Sequence, residues 1–299
     1  MKSTEIPHPV LKWAGGKSAL IPLFEKMHLI PNDFNDYYEP FFGAGAVFFH
    51  LWNKGLVEKA VVSDINPDLY NVYELVKRHC DKLISFSESM NLGVDSVTYY
   101  SNRSRFNELK KNKKLQRSLD LRLERAVLMI YLNKTCYSGM YRENRDGLFN
   151  VPCGYYKNPT IIDVDNLYAV SDSLKKVTIK CNDFNKIIPE LPKENDFVYL
   201  DPPYMPYGEV STFRDYHRSG FNNDRQEELC HAFIKMTDNK VKLLLSNSSN
   251  PELNEMYLGK KKDLSIITVP AQRLINQKRV GRITVDEYVI LNYKTEQNY

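Results

Sequence analysis

The most chemically specific residues in this chain are Asp201-Pro202-Pro203-Tyr204, which directly follow the apolar run Phe197–Leu200. Two successive prolines remove backbone donors and fix φ, so the carboxylate before them is held rigidly just outside the end of a strand. In an open α/β sheet that edge is where ligands sit. The tyrosine that follows offers a flat face on which a base can stack. An acid, a fixed carbonyl at Pro202 and an aromatic plane together suit an exocyclic amine on a planar ring. The purely structural reading, a strand-ending turn with a surface tyrosine, sits poorly with so apolar a strand. A second constellation lies upstream. Gly43 and Gly45 form a turn after Tyr37–Phe42, and Asp64 stands 21 residues beyond Gly43. At that spacing a carboxylate at the end of a second strand can reach a ribose. The turn reads GAG, without the third glycine of the dinucleotide fingerprint. This favours a nucleoside ligand lacking a pyrophosphate, such as S-adenosylmethionine, over NAD.

These residues need a scaffold, and the surrounding pattern supplies one. The stretch 37–51 reads as a short buried strand, a glycine turn and an apolar helix start, and 59–65 as a second, β-branched strand ending in an acid. Leu69, Val72, Tyr73 and Val76 then recur at helical spacing. Strand signals return at Val177–Lys180, Asp196–Leu200, Lys242–Leu245 and Tyr288–Asn292, with a helical segment over Gln226–Met236. Strands alternating with helices predict a parallel or mixed α/β sheet of Rossmann-like type. Between the two halves the character changes. Arg103–Arg125 holds nine basic residues against three acidic ones, a local excess of +6 in a chain whose net charge is +4. The positive charge is therefore segregated on a helical stretch, which suggests a polyanionic partner. Beyond it, Tyr137–Pro159 is rich in Gly, Pro, Asn and aromatics and reads as a structured loop or hairpin. The expected organisation is a catalytic domain from 1–75 and 165–299, carrying an inserted helical domain from 76–164.

Composition narrows the field further. Of 299 residues, 42% are hydrophobic and 26% charged, as in a globular protein with a real core. No apolar run approaches the roughly 18 residues of a membrane span. The N-terminus lacks a secretory apolar segment, so a cytoplasmic protein is expected. The five cysteines are scattered, with no CxxC pair, and the six histidines form no HExxH. That pattern fits a reducing compartment and predicts no metal site.

LKWAGGK (Leu11–Lys17), EPFFGAG (Glu39–Gly45), SDIN (Ser63–Asn66) and DPPY (Asp201–Tyr204), in that order, resemble the DNA adenine methylase (Dam) family. The likeness continues through YSGMYRENRDGLFNVPCGYYKNP (Tyr137–Pro159) and STFRDYHRSGF (Ser211–Phe221). The resemblance implies a Rossmann-like methyltransferase sheet with an inserted, helical target-recognition domain. It implies methyl transfer from S-adenosylmethionine to adenine N6 in double-stranded DNA. By the same resemblance, Trp13 and Lys17 approach the methionine part of the cofactor, and Phe41, Gly43 and Gly45 form the turn beneath it. Asp64 accepts the ribose hydroxyls, Ile65 lies against the cofactor adenine, and Asp183 and Phe184 meet that ring's edge and face. Asp201 and the Pro202 carbonyl accept hydrogen bonds from the target amine, and Tyr204 stacks on the flipped base. Arg142 is expected to read a guanine, with Lys12 on the guanine beside the target. Tyr137, Ser138, Met140 and Pro152 match further DNA contacts. Lys110, Lys111, Lys113 and Lys114 are phosphate contacts or a solvated helix face, and 260–262 with 273–282 form a second basic region near a DNA-contacting loop.

The expected substrate is a short palindrome containing GA, with GATC the leading site, and the expected solution state is a monomer. A companion restriction endonuclease is left open. Two other readings stay in play: a methyltransferase acting on RNA or another planar amide, and a catalytically silent DNA-binding decoy. Asp rather than Asn before the two prolines weighs against the first. The presence of Trp13, Lys17, Asp64, Asp201 and Tyr204 together weighs against the second.

Overall fold

The structure is a computed structural model of the chain and describes residues 5–13, 15–188, 192–205, 221–272 and 284–295. The expected motif at 211–220 and the basic segment 273–282 lie outside the described residues. Among the described residues seven strands form one sheet: β1 (Tyr37–Glu39), β2 (Ala60–Asp64), β3 (Val177–Cys181), β4 (Phe197–Leu200), β5 (Lys242–Ser248), β6 (Ser265–Gln272) and β7 (Thr284–Leu291). Their order is β3-β2-β1-β4-β5-β7-β6. Pairings β1–β2, β1–β4 and β4–β5 are parallel, whereas β7 runs antiparallel to both β5 and β6. The mixed α/β sheet anticipated from the strand-helix alternation is thus the architecture observed. β1 and β4 are neighbours although β2 and β3 come between them in the chain. The order therefore reverses direction at β1, where a doubly wound sheet opens its ligand crevice.

The chain divides into two compact units. The second comprises Lys17–Phe42, Leu56–Ile65 and Asn182–Tyr299. It holds β1, β2 and β4–β7 with helices α1 (Ile21–Lys26), α7 (Phe184–Ile187), α8 (Asn223–Asp238) and α9 (Pro251–Leu258), numbered in chain order. Every side chain of β4 is buried, as expected for an interior parallel strand covered on both faces. Its core joins Val198 and Leu200 of β4 and Leu243 and Leu245 of β5 to Leu229, Phe233 and Met236 of α8 and Tyr257 of α9.

The first unit comprises Met1–Gly16, Gly43–Gly55 and Asn66–Cys181. Its described residues form, besides β3, the helices α2 (Ala46–Asn53), α3 (Pro67–Glu88), α4 (Ser96–Lys111), α5 (Leu119–Thr135) and α6 (Val164–Ser173). α3 starts where the sequence dictates. Asn66 accepts from the Asp68 and Leu69 amides, and Pro67 takes the first turn, where its missing donor costs nothing. Asp95 and Ser118 cap α4 and α5 in the same way. α5 is buried from Arg125 through Asn133, so it is the unit's central helix. No helix among the described residues is long and apolar enough to cross a membrane.

Candidate active site

In the second unit β4 delivers Asp201 beyond its last residue, at the carboxyl edge of the parallel strands. Lys17 Nζ lies 2.8 Å from Asp201 Oδ1, and Ser246 Oγ donates to the same oxygen at 3.1 Å. Burial pushes the Asp201 carboxyl above its ordinary value, while Lys17 and Ser246 pull it back down. Tyr204 lies beside this pair. Lys17 Nζ sits 4.7 Å from its ring centroid, and its hydroxyl donates to Glu287 Oε2 at 2.6 Å. Burial, reinforced by Asp201 and Glu287, raises the Tyr204 phenol well above its usual value, so it keeps its proton.

The loop that carries these groups is braced from below by the polar end of β5. Met205 N donates to Asn247 Oδ1, and Ser248 Oγ donates to the Met205 carbonyl. Gln226 Nε2 donates to the Pro203 carbonyl, and Asn247 Nδ2 donates to Gln226 Oε1. The two prolines cannot donate to a ladder, so side chains of β5 and α8 hold the loop instead. The run Ser246-Asn247-Ser248 was visible in the sequence only as polar residues after an apolar strand. Gln226 and Glu287 gave no signal there, because each works through a neighbour distant in the chain.

Three loop ends of the same unit are tied together. Phe42 N donates to the Ser63 carbonyl, and Ser63 Oγ donates to the Asn182 carbonyl. This fixes the end of β1, the half-buried Asp64 at the end of β2, and the approach to Asp183. Ile65, next along, is exposed. Phe41, Phe184 and Phe221 form an aromatic triangle with centroids 5.3–5.8 Å apart. Arg225 pairs with the Asp183 carboxylate and lies 4.6 Å from the Phe184 ring. Phe41, Asp183 and Phe184, all expected around one ligand, are therefore neighbours, and Arg225 joins them.

The first unit holds the remaining expected residues. Gly43 has φ +51° and Gly45 +74°, the left-handed region that glycine enters without strain. A Cβ on Gly43 would stand 3.1 Å from Trp13 Cδ1, so the indole packs directly on the turn. Further on, Tyr137–Gly139 makes a single tight turn, and Gly139, at φ +63°, has no room for a side chain against Lys12. Asn133 clamps the Lys12 backbone through its side-chain oxygen and nitrogen and also donates to the Gly139 carbonyl. Tyr137 N donates to the Pro152 carbonyl, and isolated bridges pair Cys136 with Cys153 and Glu143 with Phe149. The expected hairpin is present. Arg142 is exposed on it, with Nε donating to Asn150 Oδ1 at 2.8 Å. Lys12, Ser138 and Pro152 are likewise exposed, and Tyr137 and Met140 are half-buried.

The basic stretch divides in a way that counting charge could not show. Arg125 forms a two-pronged buried ion pair with Asp68, and Arg105 pairs with Glu124 and Glu108. Arg122 donates to Asn71, Arg103 to the Val151 carbonyl, and Lys110 to Glu143 and the Gly147 carbonyl. Five of the nine basic residues thus hold the unit together. Lys111, Lys113, Lys114 and Arg117 are exposed.

A sheet in this order, with an acid-led double-proline loop at the switch point, defines a Rossmann-like methyltransferase fold. Comparison with known proteins names the branch. The family model of the D12 class N6 adenine-specific DNA methyltransferases matches residues 13–275, and the chain belongs to that family. It is 40% identical to the type II methyltransferase M.MjaIII of Methanocaldococcus jannaschii, over 95% of this chain and 99% of the relative. It is 34% identical to the type II methyltransferase M1.LlaDCHI of Lactococcus lactis subsp. cremoris, over 95% of each chain. It is 31% identical to a DNA adenine methylase of Haemophilus influenzae, over 95% of this chain and 93% of that one. The protein is therefore an enzyme that methylates adenine N6 in DNA, with a methyl donor implied by the family.

Proposed function

We propose that the donor is S-adenosylmethionine and the acceptor an adenine flipped out of a short palindromic duplex site containing GA, with GATC the expected sequence. The observation that carries this reading is the pinning of Asp201 at the end of β4, with Lys17 and Ser246 both on Oδ1 and Tyr204 beside them. Residues toward the donor suit a nucleoside with an amino-acid tail. The glycine turn under Trp13 leaves no side chain in the way, Asp64 offers acceptors for ribose hydroxyls, and the Phe41–Phe184 pair with Asp183 suits a purine face and edge. When bound, the donor supplies an electrophilic methyl on a sulfonium.

An exocyclic adenine amine is a poor nucleophile because its lone pair is delocalised into the ring. Asp201 Oδ2 and the Pro202 carbonyl would each accept one of its hydrogens, turning the lone pair toward the methyl. Tyr204 would hold the base plane by stacking, with its own tilt fixed through Glu287. Lys17 would meet the carboxylate of the methionine tail while its pairing with Asp201 favours the ionised acid. Catalysis on this reading is orientation and electrostatics, without a covalent enzyme intermediate. The helical region 76–164 acts as the target-recognition domain, with Arg142 and Lys12 on guanines and Tyr137, Ser138, Met140 and Pro152 on the opened duplex. Transfer of labelled methyl from S-adenosylmethionine to duplex DNA, with RNA as control, tests the reading. Label in N6-methyladenine of the duplex alone is expected; label in RNA, or none in either, would overturn it.

A further inference from the structure

Tyr141 stands between two groups that the proposed function uses, and nothing in the reaction chemistry requires it. Its ring lies against Trp13, centroids 5.1 Å apart and tilted by 32°, and against Phe149 at 5.7 Å. Its hydroxyl is within hydrogen-bond distance of two carboxylates, Asp68 Oδ2 at 3.0 Å and Glu143 Oε1 at 2.6 Å. Each carboxylate is anchored elsewhere. Asp68 is gripped by Arg125 through two nitrogens, and a third nitrogen of Arg125 donates to the Phe106 carbonyl. Glu143 receives Lys110, which also donates to the Gly147 carbonyl at the hairpin tip. Trp13 in turn packs on Gly43. One side chain thus connects the buried α3–α5 ion pair, the recognition hairpin and the indole that floors the glycine turn. Arg142 is its immediate chain neighbour.

We propose that Tyr141 is a positioning residue whose hydroxyl fixes the hairpin from which Arg142 projects and whose ring fixes Trp13 over the glycine turn. This rests on the assignment of Arg142 to a guanine and of Trp13 to the donor. The phenol suits both tasks at once. A single O–H can donate to only one carboxylate at a time, and donation to Asp68, which Arg125 grips on α3, is the bond that ties the hairpin to the helices, with Glu143 of the hairpin itself the alternative acceptor. The ring meanwhile provides a flat wall that an aliphatic residue would not.

The two functions separate by substitution. Tyr141→Phe keeps the wall and removes the tether. Its discrimination between the unmethylated target duplex and the same site with each guanine replaced in turn is expected to fall about fivefold or more in kcat/KM. Donor affinity by calorimetry should stay unchanged. Tyr141→Leu removes the wall as well and is expected to weaken donor binding by a similar factor. Glu143→Gln, which keeps an acceptor for the hydroxyl, should lose less discrimination than Tyr141→Phe and serves as the milder variant should Tyr141→Leu fail to fold. Arg142→Ala is the reference. If it leaves discrimination intact, the guanine assignment itself fails. If Arg142→Ala relaxes discrimination while both Tyr141 variants change only thermal stability, Tyr141 is ordinary packing and the proposal is overturned.

Discussion

On the proposed mechanism the chemistry turns on Asp201, and its surroundings would set a pH dependence. Burial holds its carboxyl above the ordinary 3.8, and the ionised form is the stronger hydrogen-bond acceptor for the target amine. Methyl transfer should therefore decline as pH falls through that raised value. A single-turnover profile should show an acid limb whose midpoint lies above 3.8. Asp201→Asn keeps an acceptor oxygen and should retain measurable turnover without that limb. Asp201→Ala should abolish transfer while donor binding, measured by calorimetry, remains. A wild-type rate in the alanine variant would sink the mechanism. Asp64→Ala should do the reverse, weakening donor binding by roughly 1.5–3 kcal/mol, the usual scale for a charge-assisted hydrogen bond.

At the level of elements, the α3–α5 pair is held by the buried Asp68–Arg125 ion pair, with both side chains only 4% exposed. Removing one partner leaves an uncompensated charge in the interior, which costs about 3–5 kcal/mol. Arg125→Ala should lower the denaturation midpoint accordingly, whereas Lys113→Ala, on an exposed lysine, should not move it. This pair marks where the sequence stopped being readable. The strand ends carrying Asp64 and Asp201 were legible because period, glycine and proline are local signals. The hairpin at 137–159 was legible from its turn residues. Which arginines were structural was not, since Asp68 and Arg125 are 57 positions apart and only the packed helices bring them together. β6 escaped notice for a related reason: Ser265–Gln272 contains Pro270, which in a sheet is tolerated at an edge strand, and β6 is the last strand in the order. Ser246, Gln226, Glu287 and Arg225 likewise act through partners that no local pattern announces.

On the proposed reading the whole molecule must find one short site among many, and its charge distribution would divide that task. A net +4 is modest, and five of the nine basic residues in Arg103–Arg125 are committed to internal contacts. If the exposed Lys111, Lys113, Lys114 and Arg117 contact phosphates rather than solvent alone, neutralising any one of them should reduce the salt slope of binding by about one unit. Lys113→Ala should weaken all duplexes alike. The proposed role of Arg142 is different. A guanidinium forks onto guanine O6 and N7, and adenine cannot reproduce that pattern because its N6 is a donor. With Nε occupied by Asn150, the two terminal nitrogens of Arg142 are the prongs that would grip a guanine in this way. Removing them costs about 1–3 kcal/mol of discrimination, roughly five- to over a hundredfold, at one guanine and not across all sequences. Lys12, clamped by Asn133 against Gly139, would hold the guanine beside the target adenine. On the proposed reading the GA half of the site would rest on Lys12 and Arg142, while the rest would depend on hairpin positions that a few substitutions could retune. Sequencing N6-methyladenines after incubation with a random duplex library decides between outcomes. Enrichment of GA-containing palindromes, GATC foremost, is expected, and Arg142→Ala should broaden the set at a single guanine. Methylation confined to adenines without a preceding guanine would remove both Lys12 and Arg142 from target reading while leaving the assignment of Asp201 untouched.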